Sequence, residues 1–343
     1  MKMKYDLEAA WILLTTCNFR CTYCFFTPAL LGERLTTHGT HAQWKEGFGA
    51  TGKTCLIHIT GGEPSIYPGF ADLCEQLSQN HYLSINSNLS HHSIEAFAER
   101  VNPERVHYIN AGVHVEERQK KAALGVFIDR VHKLQKCQFT VLISALMTPQ
   151  IIHDFPTISK EFESHGLYPI PKVMRGVYER KRYPAGYSIA EKSLILQYLG
   201  EAREQYRTVI ERMGEPATID MFSDDHFLNG IPDYRGKLCS SGYNFVRVDP
   251  DGTVFRCGSR ERLGNILLKN IRLLSAAKLC DTSYCPYFCE KYSLPQPAGV
   301  NTIVRRSAGI NTIVRRFILN VLRGFVENKW GGGWRGHDKW NVI

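Results

Sequence analysis

The chain has 343 residues, 43% of them hydrophobic, with eleven cysteines and a formal net charge of +9. That length and apolar content exclude a fibrous or disordered chain and suit one large domain plus a small one. No apolar run approaches the roughly 18 residues of a membrane span, and Met1-Lys2-Met3-Lys4-Tyr5-Asp6 lacks the apolar stretch of a secretion signal. A cytoplasmic location is expected, in a reducing compartment where thiols are kept for metal.

Residues 9–14 form an apolar run that reads as the first strand, ended by Thr15 and Thr16. Cys17, Cys21 and Cys24 follow at once, within Cys17-Asn18-Phe19-Arg20-Cys21-Thr22-Tyr23-Cys24. Three thiols therefore lie on a short loop at the carboxyl end of a strand. Such a loop can wrap one small inorganic object. A cubane iron–sulfur cluster offers four irons to thiolates, so three local ligands leave one iron open to a substrate or cofactor. A structural zinc site wants four protein ligands and usually paired C-x2-C arms, and a disulfide framework suits small secreted domains. After a helical stretch around 27–44, residues 55–60 make a second strand that runs into Gly61-Gly62-Glu63-Pro64. Glycines there let a ligand approach the strand-end backbone, and the exposed carbonyls and Glu63 suit a cationic amino group. Alone, the same four residues are an ordinary turn before a helix.

Cys17, Cys21 and Cys24, with Tyr23 before the last cysteine and Gly61-Gly62-Glu63-Pro64 downstream, resemble the radical S-adenosylmethionine (SAM) superfamily. The resemblance implies a [4Fe-4S] cluster whose open iron is chelated by the amino and carboxylate groups of SAM. It also implies a partial (β/α)6 barrel and reductive cleavage of SAM to a 5′-deoxyadenosyl radical that abstracts hydrogen from a substrate.

The next elements alternate regularly. A helix is expected over 67–80, with Phe70, Leu73, Cys74 and Leu77 at helical spacing, then a strand over 81–86 ending in Ser87-Asn88. Further helices are expected over 93–100, 116–135 and 149–165, and strands over 106–113, 139–146 and 167–174. Six strand–helix units imply a parallel sheet with right-handed crossovers, too few for a full barrel of eight. In such sheets the chemistry sits at the carboxyl ends of the strands, where Asn88, His114 and Ser144 fall beside the cysteine loop. Tyr23, Gly61, Gly62, Glu63, Asn88, His114 and Ser144 are thus the candidate SAM-binding residues. Cys55, Cys74 and Cys137 read as core fillers.

Residues 1–180 are expected to form the barrel, and 181–238 to bridge it with a long helix over 189–213 and an exposed polar stretch holding Asp220, Asp224, Asp225 and His226. Residues 239–292 hold the second cysteine group. Cys239 and Cys257 bracket a hairpin, 245–248 and 253–256, joined by Asp249-Pro250-Asp251-Gly252. A hairpin returns its ends to one place, so these cysteines can share a metal centre. Residues 263–266 lead into a short helix, followed by Cys280, Cys285 and Cys289. A zinc ribbon also uses four cysteines on hairpins. The segment resembles the SPASM and twitch domains of radical SAM enzymes in Cys239, in Gly252 before Cys257, and in Cys285-x3-Cys289. That resemblance implies one auxiliary [4Fe-4S] cluster on Cys239, Cys257, Cys285 and Cys289; Cys280 does not fit its spacing.

The tail, 293–343, contains Ala298-Gly299-Val300-Asn301-Thr302-Ile303-Val304-Arg305-Arg306, repeated nearly verbatim from Ala308, and an amphipathic pattern running to Phe325. From Lys291 onward there are nine Lys/Arg and two Asp/Glu, so the body is nearly neutral and no nucleic-acid partner is expected. The tail suits a membrane surface or a partner protein. The expected partners are a peptide or carbohydrate-like small-molecule substrate and a flavodoxin- or ferredoxin-type reductant. A non-catalytic iron–sulfur carrier or scaffold is the alternative.

Overall fold

The computed structural model describes residues 3–24, 26, 31, 35–214, 217–230, 233–258 and 261–283. β1 (Leu7–Leu14) is buried at all but one position, the pattern of a parallel strand covered on both faces. The chain then runs through α1 (His41–Gly49), β2 (Cys55–Gly61), α2 (Phe70–Ser78), β3 (Tyr82–Ser87), α3 (Ser93–Arg100) and β4 (Val106–Gly112). It continues through α4 (Val115–Lys121), α5 (Leu124–Lys136), β5 (Val141–Leu146), α6 (Pro149–Glu163) and β6 (Pro169–Lys172). β1 to β6 pair in order, each parallel to the last. The sheet stays open, with β6 at one edge and a strand over Arg262–Asn265 at the other, so the α/β fold is a partial (β/α)6 barrel as the family resemblance implies, with the parallel order that the alternation predicts.

Side chains alternate across each strand. One set, including Ala9, Ile57, Ile59, Leu83, Ile85, Ile109 and Ile143, joins the core beneath the helices, where α2 adds Phe70, Leu73, Cys74 and Leu77. The other set is mixed, with apolar Leu56, Leu142 and Ile170 beside polar groups. Glu8 takes a hydrogen bond from Tyr5 (2.9 Å) and pairs with His58 (3.1 Å), whose other ring nitrogen meets Ser84 at 2.5 Å. Cys55 and Cys74 are fully buried as expected of core fillers, while Cys137 is half-buried.

Three elements depart from the sequence expectation. Of the helical stretch expected around 27–44, Leu31 is helical, 35–40 are not, and a helix starts at His41, where the Thr40 hydroxyl and the Gln43 side chain form a capping box; residues 27–30 and 32–34 lie outside the described residues. The helix expected over 116–135 breaks at Ala122 (φ 48°), where Arg118 turns back onto the ends of β3 and β4. The long helix over 189–213 divides into α7 (Ile189–Gln205) and α8 (Arg207–Met213) at Tyr206, whose hydroxyl donates to the Tyr168 carbonyl at 2.7 Å. In the last two cases a tertiary contact outweighs helical propensity.

A small hairpin, β7 (Gly176–Tyr178) and β8 (Lys181–Tyr183), precedes α7. α9 (Ala217–Phe222) and a 3-10 turn, Asp224–Phe227, follow α8. The exposed stretch expected here is corrected at Asp224, which is fully buried. Asp224 pairs with Lys172 at the end of β6 and accepts from Val173 N at 2.6 Å.

β9 (Leu238–Cys239) pairs with β13 (Lys278–Leu279). The hairpin forms as expected, β10 (Phe245–Val248) against β11 (Thr253–Phe255), with Gly252 at φ 81° in the turn. β10 lies parallel to β1, with Glu8 opposite Phe245 and Trp11 opposite Val248, so the hairpin extends the barrel sheet and covers its first edge. Residues 262–265 form a strand, β12 (Arg262–Asn265), antiparallel to β11, and the short helix expected after 263–266 is replaced by a turn over 266–269. The Asn265 side chain accepts from Leu267 N and Leu268 N and turns the chain there. Cys285, Cys289 and the tail lie outside the described residues. Among the described residues no helix is long and apolar enough to cross a membrane.

Asp224→Ala leaves the buried Lys172 ammonium without its carboxylate and is expected to lower stability by about 3 kcal/mol. Asp224→Asn, which keeps an acceptor for Val173 N, should lose less. Urea denaturation of the variants measures both.

Candidate functional site

The carboxyl ends of β1 to β6 open on one cavity of about 300 Å³, within the range of small-ligand sites. Cys17, Cys21, Tyr23 and Cys24 line it together with Gly61, Gly62, Glu63, Asn88, His114 and Ser144. Every residue expected at the first site therefore faces the same space. Burial pushes the Cys17 thiol up to about 11 and Cys21 to about 12, and raises Cys24. The three are protonated at neutral pH unless a metal binds, and binding would release those protons.

The glycines serve the loop directly. A Cβ on Gly61 would sit 2.2 Å from the Leu14 carbonyl oxygen, and one on Gly62 would sit 2.1 Å from that of Thr16. Gly61 has φ 148°, a conformation that side chains disfavour. Gly62 N donates to Leu14 O and Glu63 N to Thr16 O, both at 2.9 Å. The close approach at this turn is thus made by the base of the cysteine loop itself.

Glu63 is 1% exposed, and its carboxylate is taken up inside the protein. It accepts from Ser65 N, Ser65 Oγ and Ser87 Oγ on one oxygen and from Asn88 N on the other. Burial pushes this carboxyl up, and the four donors oppose the shift. Asn88 in turn donates its side-chain amide to Asn18 Oδ1 at 3.0 Å, tying the end of β3 to the loop.

His114, in the left-handed conformation at φ 49°, stands 3.1 Å from Tyr23 OH and 3.5 Å from Cys21 Sγ through Nδ1. Its ring stacks on Tyr23, with centroids 6.2 Å apart, and meets Phe19 edge-on. Burial pushes it down to about 4, which leaves a neutral imidazole at physiological pH. Ser144 donates to Asn110 Oδ1 at 2.7 Å, and Asn110 donates to Asn86 Oδ1 at 2.8 Å. This polar ladder crosses β5, β4 and β3 at the cavity floor. Asn86, Asn110 and Lys172 also line the cavity and were missed by sequence reasoning. Their signal was a polar residue on the alternate face of an otherwise apolar strand.

At the second cysteine group the structure brings Cys239, Cys257 and Cys280 into one buried cluster with Tyr234 and Phe245. The β9–β13 ladder sets Lys278 opposite Cys239 and so carries Cys280 alongside. Arg256, 1% exposed, donates to the carbonyls of Ser241, Lys278 and Leu279 around it.

The family model for the radical SAM superfamily matches residues 11–150. A GTP 3′,8-cyclase from Pseudomonas fluorescens (strain Pf0-1) is 40% identical over 67 residues, which are 18% of this chain and 19% of that protein. The matched part thus spans about a fifth of the relative's length. Among solved structures, anSMEcpe with bound AdoMet is similar over 77% of this chain and 76% of that one, with TM-score 0.52 and 16% identity. SuiB of Streptococcus suis bound to S-adenosylmethionine is similar over 77% of this chain and 64% of its own, with TM-score 0.51 and 14% identity. At these identities the likeness is one of fold, and that fold is the partial barrel of radical SAM enzymes.

Gly62→Ala is expected to push the loop base away from β2, at about 1–3 kcal/mol for an overpacked contact. Its iron uptake on anaerobic reconstitution should fall well below that of the parent protein, while far-UV circular dichroism stays near normal.

Proposed function

We propose that this chain is a radical SAM enzyme that acts on a peptide substrate. The observation that carries the reading is the thiol arrangement: Cys17, Cys21 and Cys24 line one cavity with the glycine turn, and no fourth cysteine lines it among the described residues. Among those residues no three of His, Cys, Asp or Glu are placed to hold a single metal ion. Three spread thiols on one loop suit a [4Fe-4S] cluster with one open iron.

When bound, the cluster and SAM would supply an electron and the 5′-deoxyadenosyl radical that takes hydrogen from substrate. The chain's own residues bind, orient and shield. Glu63 is committed to its four donors, which leaves a ligand's ammonium to main-chain carbonyls near Gly61 and Gly62. The Ser144–Asn110–Asn86 ladder offers polar groups to hydroxyls deeper in the cavity. Tyr23, Phe19 and neutral His114 wall the loop with aromatic surface and keep water away from it.

Peptide substrates are favoured because the fold is shared with anSMEcpe bound to the Cp18Cys peptide and SuiB bound to precursor peptide SuiA. A carbohydrate-like small molecule is the other class to assay. The Cys239, Cys257 and Cys280 cluster supports an auxiliary [4Fe-4S] site, completed by Cys285 or Cys289, that takes the electron left on an oxidised substrate or anchors it. A flavodoxin- or ferredoxin-type reductant in the cytoplasm would feed the first cluster, and the basic tail would meet a membrane surface or partner.

Anaerobic reconstitution should load about eight irons per chain, and replacing Cys17, Cys21 and Cys24 together by Ala should leave about four. The parent protein, once reduced, should convert SAM to 5′-deoxyadenosine, and the triple variant should not. Full iron loading without SAM cleavage would instead favour an electron carrier or scaffold. One zinc with four irons would make the second site a structural ribbon.

A further inference from the structure

Arg118 is the largest buried cation near the cysteine loop, and nothing above gives it a chemical role. It is 2% exposed. Its guanidinium donates to the carbonyls of Asn88 at the end of β3 and of Gly112 and Val113 at the end of β4. It also lies 4.0 Å from the centroid of the Phe127 ring and 5.5 Å from that of Phe19, which belongs to the loop. Among the described residues it has no ion pair, since no carboxylate oxygen is recorded within 4 Å of it.

A charge taken out of water needs compensation. Three carbonyls and two ring faces supply dipoles and quadrupoles; the carboxylate that acts on it, Glu63, makes no ion pair with it and is already shared among its own four donors. Burial pushes Arg118 down to about 10, while Glu63, Tyr23 and Cys21 pull the other way, so it stays charged at neutral pH. Beyond Glu63, the cysteine loop, whose Phe19 ring the guanidinium faces, is where a further anionic group would answer it.

We propose that Arg118 is a positioning residue that also acts as the buried countercharge of a cluster on Cys17, Cys21 and Cys24, raising that cluster's reduction potential. The inference rests on the function proposed above. An iron–sulfur cluster with three thiolates is anionic, and reduction adds a further negative charge. A fixed cation in a low-dielectric site favours the more negative state, and cluster potentials respond to nearby charge and solvent exposure. The same side chain joins β3, β4 and the loop, so the charge is held in register with the cluster site.

The test uses the reconstituted full chain. The midpoint potential is read by redox titration of the paramagnetic signal that added SAM perturbs, which separates this cluster from any auxiliary one. Arg118→Gln keeps an amide donor for the carbonyls but removes the charge; Arg118→Lys keeps the charge. With iron content equal to the parent's, the Gln variant should titrate at a lower potential and the Lys variant near the parent value. A Gln variant that loads fully and titrates like the parent overturns the inference while leaving the proposed function standing. Equal lowering in both variants also overturns it, because geometry rather than charge would then set the potential. If Gln prevents loading while Lys loads and titrates like the parent, the charge requirement is upheld. If neither loads, the countercharge role is rejected in favour of a purely structural one. A parent protein that binds no cluster on the three cysteines overturns the functional reading and this inference together.

Discussion

The mouth of the barrel depends on one buried carboxylate. Glu63 leaves β2 at the glycine turn, with its amide on the Thr16 carbonyl and its side chain on donors from Ser65, Ser87 and Asn88. A carboxylate buried this completely is tolerated because each oxygen is hydrogen-bonded. Through it the cysteine loop, the end of β2 and the end of β3 become one unit. Asn88 passes the linkage to Asn18 through its side chain and to Arg118 through its carbonyl, so β4 joins as well. Three thiols on a short loop are useful only if the loop holds still, and this network is what immobilises it.

The glycines belong to the same argument. Their missing side chains let two backbone segments meet at hydrogen-bond distance, with Leu14 and Thr16 presenting carbonyls to Gly62 and Glu63. The turn needs glycine for the protein's own chain before any ligand arrives. On the far side of β1, the hairpin β10–β11 pairs in parallel with the strand that feeds the loop. Trp11 of that strand packs on Trp44 at 4.5 Å and on Phe48 at 5.2 Å, both from α1. The strand carrying the first cysteine group is therefore clamped by β2 on one edge and by the second cysteine segment on the other.

The polar lining of the barrel has two levels. Glu8, His58 and Ser84 are linked below, with Tyr5 donating to Glu8. Asn86, Asn110 and Ser144 form a ladder above, at the cavity. Lys172 sits at the rim, held by Asp224 from a segment far along the chain. Such networks rigidify an interior when every member is paired, and here they give a preorganised floor to the cavity.

The cysteine spacing, the glycine turn and the strand–helix alternation were legible in the sequence because each is local. A thiol triad needs eight residues, and hydrophobic periodicity needs about a dozen. From these came the partial barrel, the carboxyl-edge site and all the residues expected in its lining. The rest depended on partners distant in sequence. Nothing around Glu63 announces that Ser87 and Asn88 will consume its carboxylate. Arg118 reads as one charge among several on a helix until the break at Ala122 folds it under the strand ends. Asp224 reads as an exposed acid until Lys172 is beside it, and Cys280 misses the motif spacing until the β9–β13 ladder brings it to Cys239. Sequence determines what depends on neighbours along the chain. Burial, pairing and the state of a charge depend on which strands lie side by side, and that was decided only when the sheet assembled.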